Sequence, residues 1–172
     1  MKPTTHSREQ KYMPNLPDKD ACELLDADHI AVKHLFVGYA RLAMAAPQQS
    51  IDERTQLAAR ICEELTVHAQ IEEEIFYPAL RKASPAAAML LDEALSEHQQ
   101  AKELTAQVQA LGPACPEMDD LVAKLACAIE HHVKEERDEL FPKAKSAKKL
   151  DLLALGEQLR VRQQALQATA AA

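Results

Sequence analysis

Apolar residues recur along this chain at the three- and four-residue steps of an α-helix, in five blocks separated by short breaks rich in proline, glycine or serine. The first block starts at about Asp20, runs through Leu24, Leu25, His29, Val32, Phe36 and Ala40, and fades before Pro47. Ser50-Ile51-Asp52-Glu53 reads as a capping box that opens a second helix. That helix continues to about Lys82, with Pro78 expected to kink its last turns. Ser84-Pro85 supplies an N-cap and a proline at the first helical position of a third helix, which Gly112-Pro113 stops after about Leu111. A fourth runs from about Glu117 to Phe141-Pro142, and a shorter amphipathic stretch covers Leu150 to Leu166. Short connections between long helices predict an all-α protein: an up-down-up-down four-helix bundle over residues 20–143, with residues 144–172 adding a C-terminal helix that packs on it. Residues 1–19 hold three prolines and no sustained period, which predicts an extended or disordered arm.

Composition supports that reading and removes several classes of function. With 172 residues, three glycines and no tryptophan, the chain fits one domain rich in helix formers. A net charge of −7 argues against a nucleic-acid partner, because phosphate binding needs a clustered basic face. No apolar run approaches the roughly 20 residues of a membrane span, and no secretory leader opens the sequence. Cys22, Cys62, Cys115 and Cys127 form no CxxC pair and read as reduced thiols of a cytoplasmic protein, with Cys22, Cys62 and Cys127 expected in packed apolar positions.

An internal repeat carries the candidate chemistry. Helix two contains His68-Ala-Gln-Ile-Glu72-Glu-Glu-Ile-Phe76-Tyr77-Pro78, and helix four contains His132-Val-Lys-Glu135-Glu136-Arg-Asp-Glu-Leu140-Phe141-Pro142. Residues four apart on a helix lie about 40° apart and one turn away, so each His-x3-Glu shares a face and can grip one ion. The other two long helices each offer one histidine preceded by an acid, Asp28-His29 and Glu97-His98. The heights of these residues agree independently. His29 lies about 16 residues before the end of helix one and His68 about 17 after the start of helix two, and the next two pairs match equally well. At about 1.5 Å per residue, an antiparallel bundle puts all four histidines near one level.

Four imidazoles and two carboxylates are too many donors for one ordinary ion and suit two, with Glu72 and Glu136 bridging and His29, His68, His98 and His132 terminal. Imidazole with carboxylate suits iron and also admits zinc or manganese. The pattern His29 … His68-x3-Glu72 … His98 … His132-x3-Glu136 resembles the hemerythrin-like, HHE cation-binding family over roughly residues 20–143. The resemblance implies a non-haem di-iron centre, with an oxo or hydroxo bridge between the ions, that meets dioxygen, peroxide or nitric oxide. Two departures separate this chain from the oxygen carriers of that family. They hold a second histidine one turn after the one in helix three, where this chain has Lys102, and use His-x4-Asp in helix four, where it has Glu136 followed by Arg137. A donor set poorer in nitrogen points to binding or reduction of a small oxygen or nitrogen species rather than reversible carriage. An iron or oxygen sensor and an oxygen or iron store remain as alternatives, and a homodimer is possible on the fifth helix or the arm.

The other polar residues read differently. His131 and Glu135 form a second His-x3-Glu pair one residue out of phase, which leaves them off the core face. His34 and His6 are expected in solvent. Tyr39 and Tyr77 are chemically able to hydrogen-bond a bound oxygen species, but simple helical projection turns both away from the candidate donors. Glu139 returns to the face of His132 near the helix end, where exposure is expected.

Overall fold

Asp20 starts the first helix through a reciprocal pair of hydrogen bonds. Its carboxylate accepts from the backbone N–H of Glu23 at 2.9 Å, and the Glu23 carboxylate accepts from the backbone N–H of Asp20 at 3.0 Å. This satisfies two of the donors that every helix start leaves unpaired. The computed structural model describes residues 18–170, so His6 and the arm up to residue 17 lie outside the described residues. Helix α1 spans Ala21–Ala45 and α2 spans Ile51–Ile71. A π-turn, Glu72–Phe76, joins α2 to α3, Tyr77–Ala83, in one continuous rod. A 3₁₀ turn at Pro85–Ala87 leads into α4, Ala88–Ala110. The fourth rod repeats the second: α5, Pro116–Glu135, a π-turn at Glu136–Leu140, then α6, Phe141–Ser146. Helix α7 covers Leu152–Ala170.

The architecture is the all-α bundle with an added C-terminal helix that the periodicity predicts. The start of α2 works differently from the predicted capping box. Ser50 makes no side-chain cap; its hydroxyl donates back to the carbonyl of Ala46 at 2.7 Å and accepts from Arg54 Nε at 3.1 Å. Arg54 is buried, and its guanidinium also reaches Asp119 and the carbonyl of Pro47. The chain thus uses Ser50 to satisfy a buried cation, and α2 begins without a side-chain acceptor. Ser84 likewise gives no side-chain cap.

The apolar interior is split in two. One cluster gathers Leu25, Ile71, Phe76, Leu80, Leu91 and Phe141 near the π-turns, with Leu155 and Leu159 of α7. The other holds Phe36, Ile61, Cys62, Leu121 and Leu125 toward the opposite end. The histidine layer lies between them. Among the described residues no helix is long and apolar enough to cross a membrane. Cys62 is buried as expected, and burial pushes its thiol up to about 11. Cys22 is also buried, its thiol held up at about 12 by desolvation and then by Asp20. Cys127 departs from expectation: it is exposed, because the buried stripe of α5 runs through Leu121, Val122, Leu125 and His132.

Helix α7 reaches α1 closely only because of Gly156. A Cβ there would stand 2.5 Å from the carbonyl oxygen of Lys19 and 2.9 Å from the carbonyl carbon of Asp20. Replacing a mid-helix glycine by alanine ordinarily stabilises by about 1 kcal/mol. Here Gly156→Ala is expected instead to destabilise by about 1–3 kcal/mol, because the methyl meets backbone. Thermal unfolding checks this: the midpoint should fall by several degrees, and a rise would contradict the close approach.

Candidate metal centre

The local sequence explains how the carboxylates come to face inward. Pro78 and Pro142 lack a backbone N–H, and their rings would collide with the carbonyl four residues back in an unbroken α-helix. The wider π-turns before them relieve this, with the N–H of Tyr77 donating to Glu72 O and that of Phe141 to Glu136 O, five residues back. Glu72 and Glu136 each open a π-turn and are 0 % exposed.

All six candidate residues converge. His29 Nε2 stands 2.9 Å from His68 Nε2, and His98 Nε2 stands 3.2 Å from His132 Nε2. Glu72 spans the two pairs, with Oε1 3.2 Å from His68 Nε2 and Oε2 3.2 Å from His98 Nε2. Glu136 Oε2 lies 3.2 Å from His29 Nε2 and 3.7 Å from His132 Nε2. The donors fall into two overlapping sets, one of His29, His68, Glu72 and Glu136, the other of Glu72, His98 and His132.

Acidic groups behind three of the histidines orient their rings. Asp28 lies 3.3 Å from His68 Nδ1, Glu97 lies 2.7 Å from His132 Nδ1, and Glu73 lies 2.9 Å from His98 Nδ1. The acids preceding His29 and His98 in sequence thus serve the histidine of the neighbouring rod. Each carboxylate accepts from Nδ1–H, which in the neutral ring leaves the Nε2 lone pair turned inward. Asp28 is itself held by Gln163 of α7 at 2.7 Å, and Glu73 by Lys102 at 2.7 Å. Among the described residues, His29 Nδ1 has Asp26 at 3.7 Å and no hydrogen-bond partner.

The interior fits a cation. Each close Nε2···Nε2 contact can share only one proton between two nitrogens, and among the described residues the buried oxygens Glu72 Oε1 and Glu136 Oε2 lack any hydrogen-bond partner. Cations among these atoms would satisfy both conditions together. Protons partly do so in the cation-free protein. Burial disfavours the charged form of His68, but Glu72 and Asp28 outweigh it and hold its pKa well above the usual histidine range. Burial likewise opposes protonation of His132, and Glu97 and Glu136 raise its pKa nonetheless. Burial works to raise the pKa of Glu72, but His68 and His98 hold it well below the usual carboxylate range.

Tyr77 is the site residue that sequence projection misses. An α-helical step of five residues would turn it about 140° from Glu72. The π-turn removes most of that rotation, so its hydroxyl donates to Glu136 Oε1 at 2.9 Å and lies 3.2 Å from His98 Nε2 and 3.4 Å from Glu72 Oε2. The Tyr-Pro step after the repeat was the available signal. Phe141 holds the equivalent place beside His29, stacked at 6.1 Å with an interplanar angle of 13°. Tyr39 lies at the far end of the bundle, where its hydroxyl donates to Asp119 at 2.7 Å. His131 and Glu135 remain near the surface, 3.3 Å apart, with Glu97 equally close to His131. His34 and Glu139 are exposed.

Residues 20–144 match the hemerythrin HHE cation binding domain. The chain belongs to that family. A solved structure of a hemerythrin HHE cation binding domain-containing protein from Mycobacterium kansasii superposes with a TM-score of 0.71 at 25% identity, covering 88% of this chain and 90% of that one. A protein of Nostoc sp. called DNA nickase is 32% identical over 124 residues, 72% of this chain. The match spans only 33% of that relative's length. As an HHE domain the chain carries a cation-binding layer, and the two His/Glu sets suit a metal site.

Metal uptake should displace the protons held in that layer. His68 and His132 hold a proton more strongly than a free imidazole does, whereas a ligating imidazole must be neutral. Adding a divalent cation at pH 7 is therefore expected to release protons, and retention should weaken as pH falls. Calorimetry in buffers of differing ionisation enthalpy reads the release; uptake without protons would contradict the assigned shifts.

Proposed function

We propose that this HHE domain holds two iron ions, His29 and His68 terminal on one and His98 and His132 on the other, and that the centre binds or reduces dioxygen, peroxide or nitric oxide. The observation that carries the reading is Glu72, whose two oxygens stand 3.2 Å from histidines of opposite pairs. One carboxylate can span two ions about 3.5–4 Å apart. Glu136 supplies the second bridge from the opposing rod. Imidazole with carboxylate favours iron among the available metals, with zinc and manganese as the competing occupants. Bound iron would supply electrons and an open position for the small ligand.

The chain's own part is geometric and protic. Apolar clusters bound the layer on both sides. Burial, with Glu72 and Glu136 alongside, raises the pKa of Tyr77 well above the usual tyrosine range in the cation-free protein, so the phenol keeps its proton and donates it to Glu136. The same oxygen sits at donor distance from His98 and Glu72, which makes Tyr77 a candidate seventh donor on the second half.

Glu72→Gln and Glu136→Gln should each lower iron content from two per chain, with the helical circular dichroism retained. Two irons held by both variants would remove the bridging assignment. If Tyr77 binds ferric iron as phenolate, the oxidised wild-type protein shows a visible charge-transfer band that Tyr77→Phe abolishes. A spectrum unaltered by that substitution would confine Tyr77 to hydrogen bonding.

A further inference from the structure

The domain is built from two matching hairpins around its centre. His29 corresponds to His98, and His68–Glu72 to His132–Glu136, so α1 pairs with α4 and α2 with α5. The seam between α1 and α5 therefore has its counterpart between α4 and α2. Both seams are hollow, but they end differently. The α1/α5 groove, of about 570 Å³, is lined by Val32, Lys33, Phe36, Ile129 and Val133, and reaches His29 alone of the six site residues. The α2/α4 hollow, of about 160 Å³, is lined by the equivalents Ala101, Lys102, Thr105, Leu65 and Ala69. It continues across the interior to touch His29, His68, His98 and His132.

Side-chain size at two matched positions accounts for the difference. Val32 and Val133 stand at histidine level on the α1/α5 seam, where the α2/α4 seam has Ala101 and Ala69. Interiors are packed closely enough that the γ-methyls of two valines decide whether a passage exists. Outside the alanines, the wall of the hollow is formed by Glu64, Ala106 and Gln109. The ion pair of Lys102 with Glu73, at 2.7 Å, ties α4 to the π-turn beside this opening.

We propose that the α2/α4 seam admits the small ligand, passing between Ala69 and Ala101 beside Lys102, and that Val32 and Val133 close the equivalent seam. A water occupies about 30 Å³ of liquid. The hollow, at about 160 Å³, therefore has room for dioxygen, peroxide, nitric oxide or azide beside the histidines. This deepens the functional reading above and rests on it for the nature of the ligand.

Azide association with the iron-loaded, oxidised protein tests the route by stopped-flow absorbance. Ala101→Val and Ala69→Val install the residues of the closed seam and should slow association about tenfold or more, given how tightly such walls pack. Iron content should stay at the wild-type level. Val32→Ala with Val133→Ala, added to either variant, should restore much of the rate by opening the other seam. Unchanged rates in both alanine-to-valine variants at full iron content would overturn the proposal. A readout independent of iron comes from crystals of the cation-free protein under xenon. Xenon should occupy the α2/α4 hollow in the wild type and be reduced in Ala101→Val; equal occupancy in both would also overturn it. A wild-type protein that loads no iron would refute the functional reading, and the xenon experiment would still decide the route.

Discussion

Two wholly buried carboxylates, Glu72 and Glu136, set the conditions that the rest of this fold satisfies. An ionised carboxylate withdrawn from water costs several kcal/mol unless opposite charge and hydrogen bonds replace its hydration. Here that replacement is a layer of four imidazoles, three of which turn their outer nitrogens toward carboxylates nearer the surface. The apolar clusters above and below the layer lower the local polarisability, which strengthens each of these interactions and raises the cost of leaving one unmade. The raised pKa values of His68 and His132 reflect that pairing with carboxylate charge. A pair of divalent cations would offset the carboxylate charge more completely, because they also engage the two carboxylate oxygens left without partners.

The approximate twofold relation of the hairpins makes their differences informative. Tyr77 faces Phe141 across the relation, so only one half of the centre has a phenolic oxygen among its donors. Glu73 corresponds to Arg137, so His98 has an acceptor for its outer nitrogen while His29 has none in reach. Arg137 instead pairs with Asp26, and α7 covers the first hairpin through Gln163 on Asp28 and Arg162 on Glu74. The duplicated His and Glu donors form two groups that suit a cation. The unmatched neighbours give its two halves different chemistry and different exposure.

Much of this was legible from residue spacing. The repeated His-x3-Glu, the single histidines of the other rods and their common height all come from periodicity, which an antiparallel bundle converts directly into proximity. Spacing failed where the helix ceased to be regular. The π-turns change the angular step after Glu72 and Glu136, so projection at 3.6 residues per turn put Tyr77 on the wrong face. The prolines that end the repeats were visible but read only as kinks. Ser50 failed for another reason: the capping pattern is local, and the buried Arg54 that takes the serine's lone pair is known only from the packed structure. Cys127 reads as a buried small hydrophobe from its residue type alone, whereas the neighbours that define the buried stripe of α5 leave it outside.

In the proposed centre, two ions lie between the histidine pairs and share both buried glutamates. Anomalous diffraction at the iron edge, from crystals grown anaerobically with ferrous iron, tests it most directly. The account predicts two peaks about 3.5–4 Å apart, one beside His29 and His68 and one beside His98 and His132, with Glu72 reaching both. A single peak, or none between the histidines, would contradict it.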